Sequence, residues 1–106
     1  MTVNPFPNYI AGTWVAGNDA APNINPSDLN DTIGDYARAN TNQTVEAIEA
    51  ATVAFPKWRA TSPLVRFEAL DRIGSEILAR VDELGDMLAR EEGKTLSEAK
   101  AEAHRA

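Results

Sequence analysis

The feature that most constrains this chain is the run from Ser62 to Lys94, the longest stretch in which sequence pattern and helix geometry agree. Leu70, Ile73, Ile77, Val81, Leu84 and Leu88 follow one another at steps of three or four residues, averaging about 3.6, the α-helical period. They form one apolar stripe. The opposite face carries Glu68 with Arg72, Glu76 with Arg80 and Asp86 with Arg90, each acid four residues ahead of its base, and is expected to be solvated. Ser62 is placed to cap the start, with Pro63 at the first helical position, and Gly93 to stop the end before Lys94. Gly74 and Gly85 each weaken the interior by up to about 1 kcal/mol, and Asp82 can cap a new start, so the run is either one helix or two with a bend near Val81.

The 106 residues amount to one domain, able to bury about 60–70% of its unfolded surface. An apolar content of 43% with 25% charged residues is ordinary for a globular chain. Sixteen acids against ten bases give a net charge of −6, and the bases are interleaved with acids, so neither nucleic acid nor an anionic membrane is an expected partner. The absence of cysteine removes disulfides, thiolate nucleophiles and zinc-thiolate sites from the chain and fits a cytoplasmic protein. Met1 to Tyr9 lacks the basic start and apolar run of a secretory signal, and no stretch approaches about 18 consecutive apolar residues.

Ahead of the long run, Met1 to Asn8 reads as irregular. Tyr9 to Val15 reads as a hairpin turning at Ala11 and Gly12, with Trp14 as a core or interface anchor. Between Ala16 and Asp31, a brief extended segment is expected to bury Ile24 and end at Pro26, and Ile33 to Ala39 reads as another strand. Asn42 or Thr44 can cap a helix carrying Val45, Ile48, Ala51, Phe55 and Trp58 on one face, and Pro56 is expected to kink that helix or end it early. After Gly93, Thr95 and Glu98 have capping-box spacing and start a further helix. The chain alone is therefore α+β: a single incomplete domain with hairpin, loops and short strands over 1–40 and three or four helices over 41–106.

Catalytic groups are scarce. With one histidine, His104, and no cysteine, the usual nucleophile and transition-metal constellations are missing. Glu91 and Glu92 are neighbours that point about 100° apart on a helix, which is not an acid/base pair. Neither a Gly-x-Gly-x-x-Gly nor a P-loop pattern occurs.

The words in order say more. Asn8-Tyr9-Ile10-Ala11-Gly12-Thr13-Trp14-Val15, Ile24-Asn25-Pro26, Ile33-Gly34, Ala54-Phe55-Pro56-Lys57-Trp58, Arg66 with Leu70, and Glu91-Glu92-Gly93-Lys94-Thr95-Leu96 together resemble the N-terminal part of the aldehyde dehydrogenase superfamily. The segment Arg90 to Leu96 is most similar to bacterial semialdehyde dehydrogenases of the 2-oxoglutarate semialdehyde type. The resemblance implies an α/β parent fold, of whose NAD(P)-binding domain this chain is the N-terminal part. It also implies a longer enzyme that oxidises an aldehyde to an acid with NAD or NADP.

In that family a cysteine attacks the aldehyde, hydride passes to the nicotinamide and a glutamate activates water. None of those residues falls within this chain, so the resemblance implies no catalytic or cofactor-binding residue here and an inactive segment. It further implies a monovalent cation held by the backbone carbonyl of Ile24 and the carboxylate of Glu91, against the alternative of a solvated Glu91. The helix after Gly93-Lys94 corresponds to one bordering the aldehyde entrance, matching Glu102, Arg105 and Ala106, where Arg105 either attracts an acidic semialdehyde or is simply a terminal side chain. The expected partner is the remainder of the enzyme or another copy of the chain. The rival reading is a small helical module that self-associates, as a homo-oligomer, or binds a partner through the Leu70–Leu88 stripe.

Overall fold

A computed structural model of the chain describes residues 4–106. Of the irregular start expected over Met1 to Asn8, Met1 to Val3 lie outside the described residues. Among the described residues four short strands precede four helices, as the α+β reading expects. Contacts among the described residues group into two compact units, 4–23 with Gly34–Thr61, and Ile24–Ile33 with Ser62–Ala106.

In the first unit, β1 (Asn8–Ile10) and β2 (Thr13–Val15) pair antiparallel in the register Tyr9↔Trp14 and Ile10↔Thr13. The turn falls on Ala11 and Gly12, at φ of 52° and 81°. Positive φ at both central residues is the hairpin turn whose twist matches that of the strands. The Tyr9 and Trp14 rings pack 4.8 Å apart, yet Trp14 is 71% exposed, so within this unit it covers its cross-strand neighbour rather than anchoring a core.

A second two-stranded sheet joins β3 (Asp19–Ile24) and β4 (Thr32–Arg38). Phe6 adds a parallel bridge to Tyr36, donating from its amide to the Asp35 carbonyl at 2.8 Å and accepting from the Ala37 amide at 2.9 Å.

The helix that follows, α1 (Thr41–Ala60), is capped by Asn40 and not by Asn42 or Thr44. Asn40 Oδ1 accepts from the Gln43 amide at 2.9 Å while Gln43 Oε1 accepts from the Asn40 amide, a reciprocal pair that neither expected cap could form. The Thr44 hydroxyl is used inside the first turn, on the Asn40 carbonyl. Pro56 does not end the helix. It sits within five residues of the C-terminus, so its missing amide costs one helical bond while its fixed φ is already helical.

The second unit is built on α2 (Pro63–Ala79), α3 (Val81–Glu92) and α4 (Leu96–Arg105). The long run is thus two helices, broken at Arg80 (φ −112°, ψ 17°) with no side-chain cap. Asp82 lies inside α3 and does not start it. Ser62 Oγ caps α2 by accepting from the Val65 amide, Pro63 is its first residue, and Gly93 ends α3 in the left-handed region at φ 70°, all as expected. Thr95 starts α4, its hydroxyl accepting from the Glu98 amide and donating to the Glu98 carboxylate at 2.6 Å.

Burial concentrates where α3 crosses α4. Gly85, Ala99 and Ala103 are buried there. A Cβ on Gly85 would stand 2.5 Å from Lys100 Cγ and 3.0 Å from Lys100 Cα, so the two backbones meet at a distance only glycine permits. The apolar stripe is divided accordingly: Ile77, Val81, Leu84 and Leu88 are half-buried within the unit, whereas Leu70 and Ile73 stay 61% and 55% exposed. The charged face differs from expectation too. Arg80 pairs with Glu83, three residues on, at 2.7 Å, and Arg90 reaches Asp31.

Two glycine substitutions separate packing from propensity. Ala at either position gains about 1 kcal/mol of helix propensity. Gly74, with nothing within 4 Å of a built Cβ, should become more stable by about 0.5–1 kcal/mol as Gly74→Ala. Gly85→Ala should lose about 1–3 kcal/mol net by overpacking. Urea unfolding of both variants checks the opposite signs.

Candidate functional site

The Asn25–Asp31 loop carries an unusual share of its own hydrogen bonding. Asn25 Oδ1 accepts from the Ser27 amide at 2.9 Å, the Asn25 amide donates to the Asp31 carbonyl at 3.0 Å, and Asn25 Nδ2 donates to Asp31 Oδ2 at 3.1 Å. Asp28 accepts from the Asn30 amide at 3.1 Å. These are the local side-chain bonds that Asn and Asp make in turns. The closed loop is then clasped to the end of α3. Arg90 donates from Nε to Asp31 Oδ2 at 2.8 Å and from Nη2 to Asp31 Oδ1 at 2.6 Å, the two-pronged geometry in which Arg–carboxylate pairs are strongest. A Cβ on Gly93 would lie 2.8 Å from Pro26 Cγ and 2.9 Å from Ser27 Oγ, so Gly93 meets both a left-handed turn and a close approach.

Electrostatics follow this geometry. The Arg90 bonds, then the Asn25 bond, hold the Asp31 carboxyl down from its ordinary 3.8 to about 2 against the opposing effect of burial. A second charged group lies on the same helix end, where Lys94 Nζ contacts Glu92 at 2.6 Å and also Glu102 of α4. Those two carboxylates raise the Lys94 pKa, Glu102 first, and Lys94 in turn lowers that of Glu102, with Arg105 a smaller contribution.

The residues expected from the sequence fall around these two clusters. Ile24 closes β3 and is 43% exposed, not buried as expected; the turn that follows it is held by polar bonds among its own residues and to Arg90. Glu91 is exposed in the last turn of α3. Each is the chain neighbour of a clasp residue, Asn25 and Arg90. Glu102 is drawn to Lys94, while Arg105 and Ala106 are exposed at the end of α4. Among the described residues no three His, Asp or Glu side chains gather as a metal group, and no helix is long and apolar enough to cross a membrane. Sequence pattern carries no signal at Asp31, offers Asp86 as the partner of Arg90, and shows Lys94 only as the residue beyond the helix stop and within the Glu91–Leu96 word. The Asn-Pro-Ser-Asp turn chemistry signalled the loop, but nothing local pairs Asp31 with a base 59 residues away.

This arrangement, α+β in itself, superposes on the NAD-dependent benzaldehyde dehydrogenase from Corynebacterium glutamicum over 96% of the chain and 23% of that protein, with a TM-score of 0.86 and 30% identity. The chain belongs to the aldehyde dehydrogenase family, whose model matches residues 14–106. It is 33% identical over 105 residues to the alpha-ketoglutarate semialdehyde dehydrogenase of Haloferax volcanii, covering 97% of the chain and 22% of that protein. It is 36% identical over 105 residues to the alpha-ketoglutaric semialdehyde dehydrogenase of Bacillus subtilis, covering 96% and 21%. The chain thus spans about a fifth of the length of these relatives.

The clasp makes a pH prediction. Asp31 has a lower pKa folded than unfolded, so the unfolded chain takes up the proton first on acidification. The stabilisation is complete above about pH 4 and is lost as pH falls towards about 2. Asp31→Asn should lower the urea midpoint at pH 7 and flatten its decline over that window; an unchanged acid limb would contradict the clasp.

Proposed function

We propose that this chain is the N-terminal segment of an NAD- or NADP-dependent aldehyde dehydrogenase that oxidises an acidic semialdehyde to a carboxylic acid. The observation that carries this reading is the correspondence of nearly the whole chain, in order, to about a fifth of two proteins named as semialdehyde dehydrogenases of alpha-ketoglutarate. Thioester chemistry needs a thiolate, and with no cysteine in the sequence the segment is inactive by itself. Its part is geometric. The helices carry apolar faces that the remainder of the enzyme covers, and the assembled protein acts in the cytoplasm without nucleic acid or membrane as partner.

Two sites within the segment belong to this reading. The backbone carbonyl of Ile24 and the carboxylate of Glu91 hold a monovalent cation; in support, Asn25 and Arg90, one residue from each, are both bonded to Asp31. A hard cation on oxygen ligands suits that donor set. Glu102, Arg105 and Ala106 border the substrate entrance. Lys94 draws the Glu102 carboxylate to itself, and this leaves Arg105 to meet the free carboxylate of an acidic semialdehyde.

Mixed with NAD or NADP and alpha-ketoglutarate semialdehyde, the chain alone should form reduced cofactor no faster than a protein-free control; turnover above it would overturn the inactive-segment reading. The coding sequence beyond Ala106 should continue in frame to a cysteine-bearing loop and a Glu-Leu-Gly-Gly-like word, and a stop followed by unrelated sequence would overturn the parent assignment. For the cation, thermal melts in potassium or sodium chloride should exceed those in choline chloride of equal ionic strength, and Glu91→Gln should erase the difference.

A further inference from the structure

We infer that the Asp31–Arg90 pair is a positioning device for the cation: it fixes the Ile24 carbonyl against the Glu91 carboxylate, an inference that rests on the assignment of those two groups as ligands. Ile24 is 43% exposed and Glu91 is exposed, so neither residue is held in place by its own packing. Their chain neighbours are held. Asn25, next to Ile24, donates from its backbone amide to the Asp31 carbonyl at 3.0 Å and from Nδ2 to Asp31 Oδ2 at 3.1 Å. Arg90, next to Glu91, donates to both oxygens of the same carboxylate at 2.8 and 2.6 Å. One side chain therefore governs the backbone on both sides of the site. Gly93, two residues beyond Glu91, adds a steric stop, since a Cβ there would lie 2.8 Å from Pro26 Cγ and 2.9 Å from Ser27 Oγ.

An ion of single charge gains less from each oxygen ligand than a divalent one, so its affinity depends on ligands that are ordered before it arrives. Side chains that orient ligands in this way commonly set metal affinity by about 10–100-fold. Charge alone argues for a different role. A guanidinium one residue from a ligand repels a cation, and Asp31 offsets that repulsion by pairing with it. The two accounts agree on what Asp31 does and give opposite signs for Arg90, which makes Arg90 the residue to test.

Thermal melts of the chain in potassium and choline chloride mixtures of constant ionic strength give the potassium concentration at which half of the rise in melting temperature is reached. Arg90→Gln should move that concentration up about tenfold or more, whereas a purely Coulombic role predicts tighter binding once the Asp31 carboxylate is uncompensated. Unchanged or tighter binding overturns the inference. Arg90→Lys keeps the charge without the two-pronged bond and should weaken binding in the same direction, so the inference stays testable if Arg90→Gln does not fold. Asp31→Asn should weaken binding as much as Arg90→Gln, and the double variant no further than either, because both break one pair. Ser62→Ala removes the cap of α2 and lowers the melting temperature away from the clasp; it should leave the potassium midpoint unchanged, and a shift there equal to that of Arg90→Gln overturns the inference as a mere effect of stability. An unsubstituted chain with no potassium-specific rise, or a rise that survives Glu91→Gln, overturns the ligand assignment and the inference with it. A rise that Glu91→Gln erases and Arg90→Gln leaves intact overturns the inference alone.

Discussion

The contact on which the second unit depends is the crossing of α3 and α4 at Gly85. Small residues on both sides, Gly85 on one helix and Ala99 and Ala103 on the other, let the backbones close to a separation at which a single methyl collides with Lys100. Such an interface gains little from hydrophobic area per residue and much from close packing, since each atom pair at contact distance contributes only about 0.1–0.2 kcal/mol and the pairs must be many. The polar features of the unit are hung on this frame. Lys94 can touch Glu92 of α3 and Glu102 of α4 together only because the helices it links lie that close, and Lys100 reaches Asp82 across the same seam at 2.8 Å.

Ion pairs in this unit are positional more than stabilising. The Arg80–Glu83 and Lys100–Asp82 partners are largely solvated, and exposed pairs add little to stability. The Asp31–Arg90 pair differs in kind. Its side chains are only 28% and 35% exposed, it is bidentate, and Asn25 supplies a third bond. It ties a loop to a helix 59 residues away, where Gly93 must also admit Pro26 and Ser27. Charge and shape are specified at the same contact, so neither the base nor the glycine is free to change alone.

What could be read from the sequence was local. Ser62-Pro63, Gly93, the Thr95–Glu98 spacing and the Ala11-Gly12 turn each place a donor, an acceptor or a backbone angle within a few residues of its partner, and each appears where expected. The break at Arg80 was legible as a bend but not at its residue, since no cap marks it and tertiary packing fixes where the run divides. Asn40, Asn42 and Thr44 are all cap-forming residues, and only the reciprocal Gln43 bond selects the earliest of them. The Arg90 partner, Asp31, is hidden from local pattern for a different reason. Helical spacing offers Asp86 at four residues, and nothing along the chain announces that a carboxylate from a distant loop will supply the bidentate geometry. Ile24, an apolar side chain of the kind that is usually buried, stays 43% exposed beside a turn held by polar bonds.

The same distinction explains how a chain so poor in reactive groups relates to a family of enzymes. The family words that persist here are turn, cap and contact residues: Asn25-Pro26 closes a loop, Gly93 admits it, Lys94 links two helices. None is a nucleophile or a base, and each does its work by fixing the distance between elements. Chemistry in such an architecture can reside elsewhere in the polypeptide and still depend on these residues. The α3–α4 seam, where a Cβ on Gly85 would meet Lys100 Cγ at 2.5 Å, and the Asp31–Arg90 clasp beside it are the parts of this chain that fix such distances most closely.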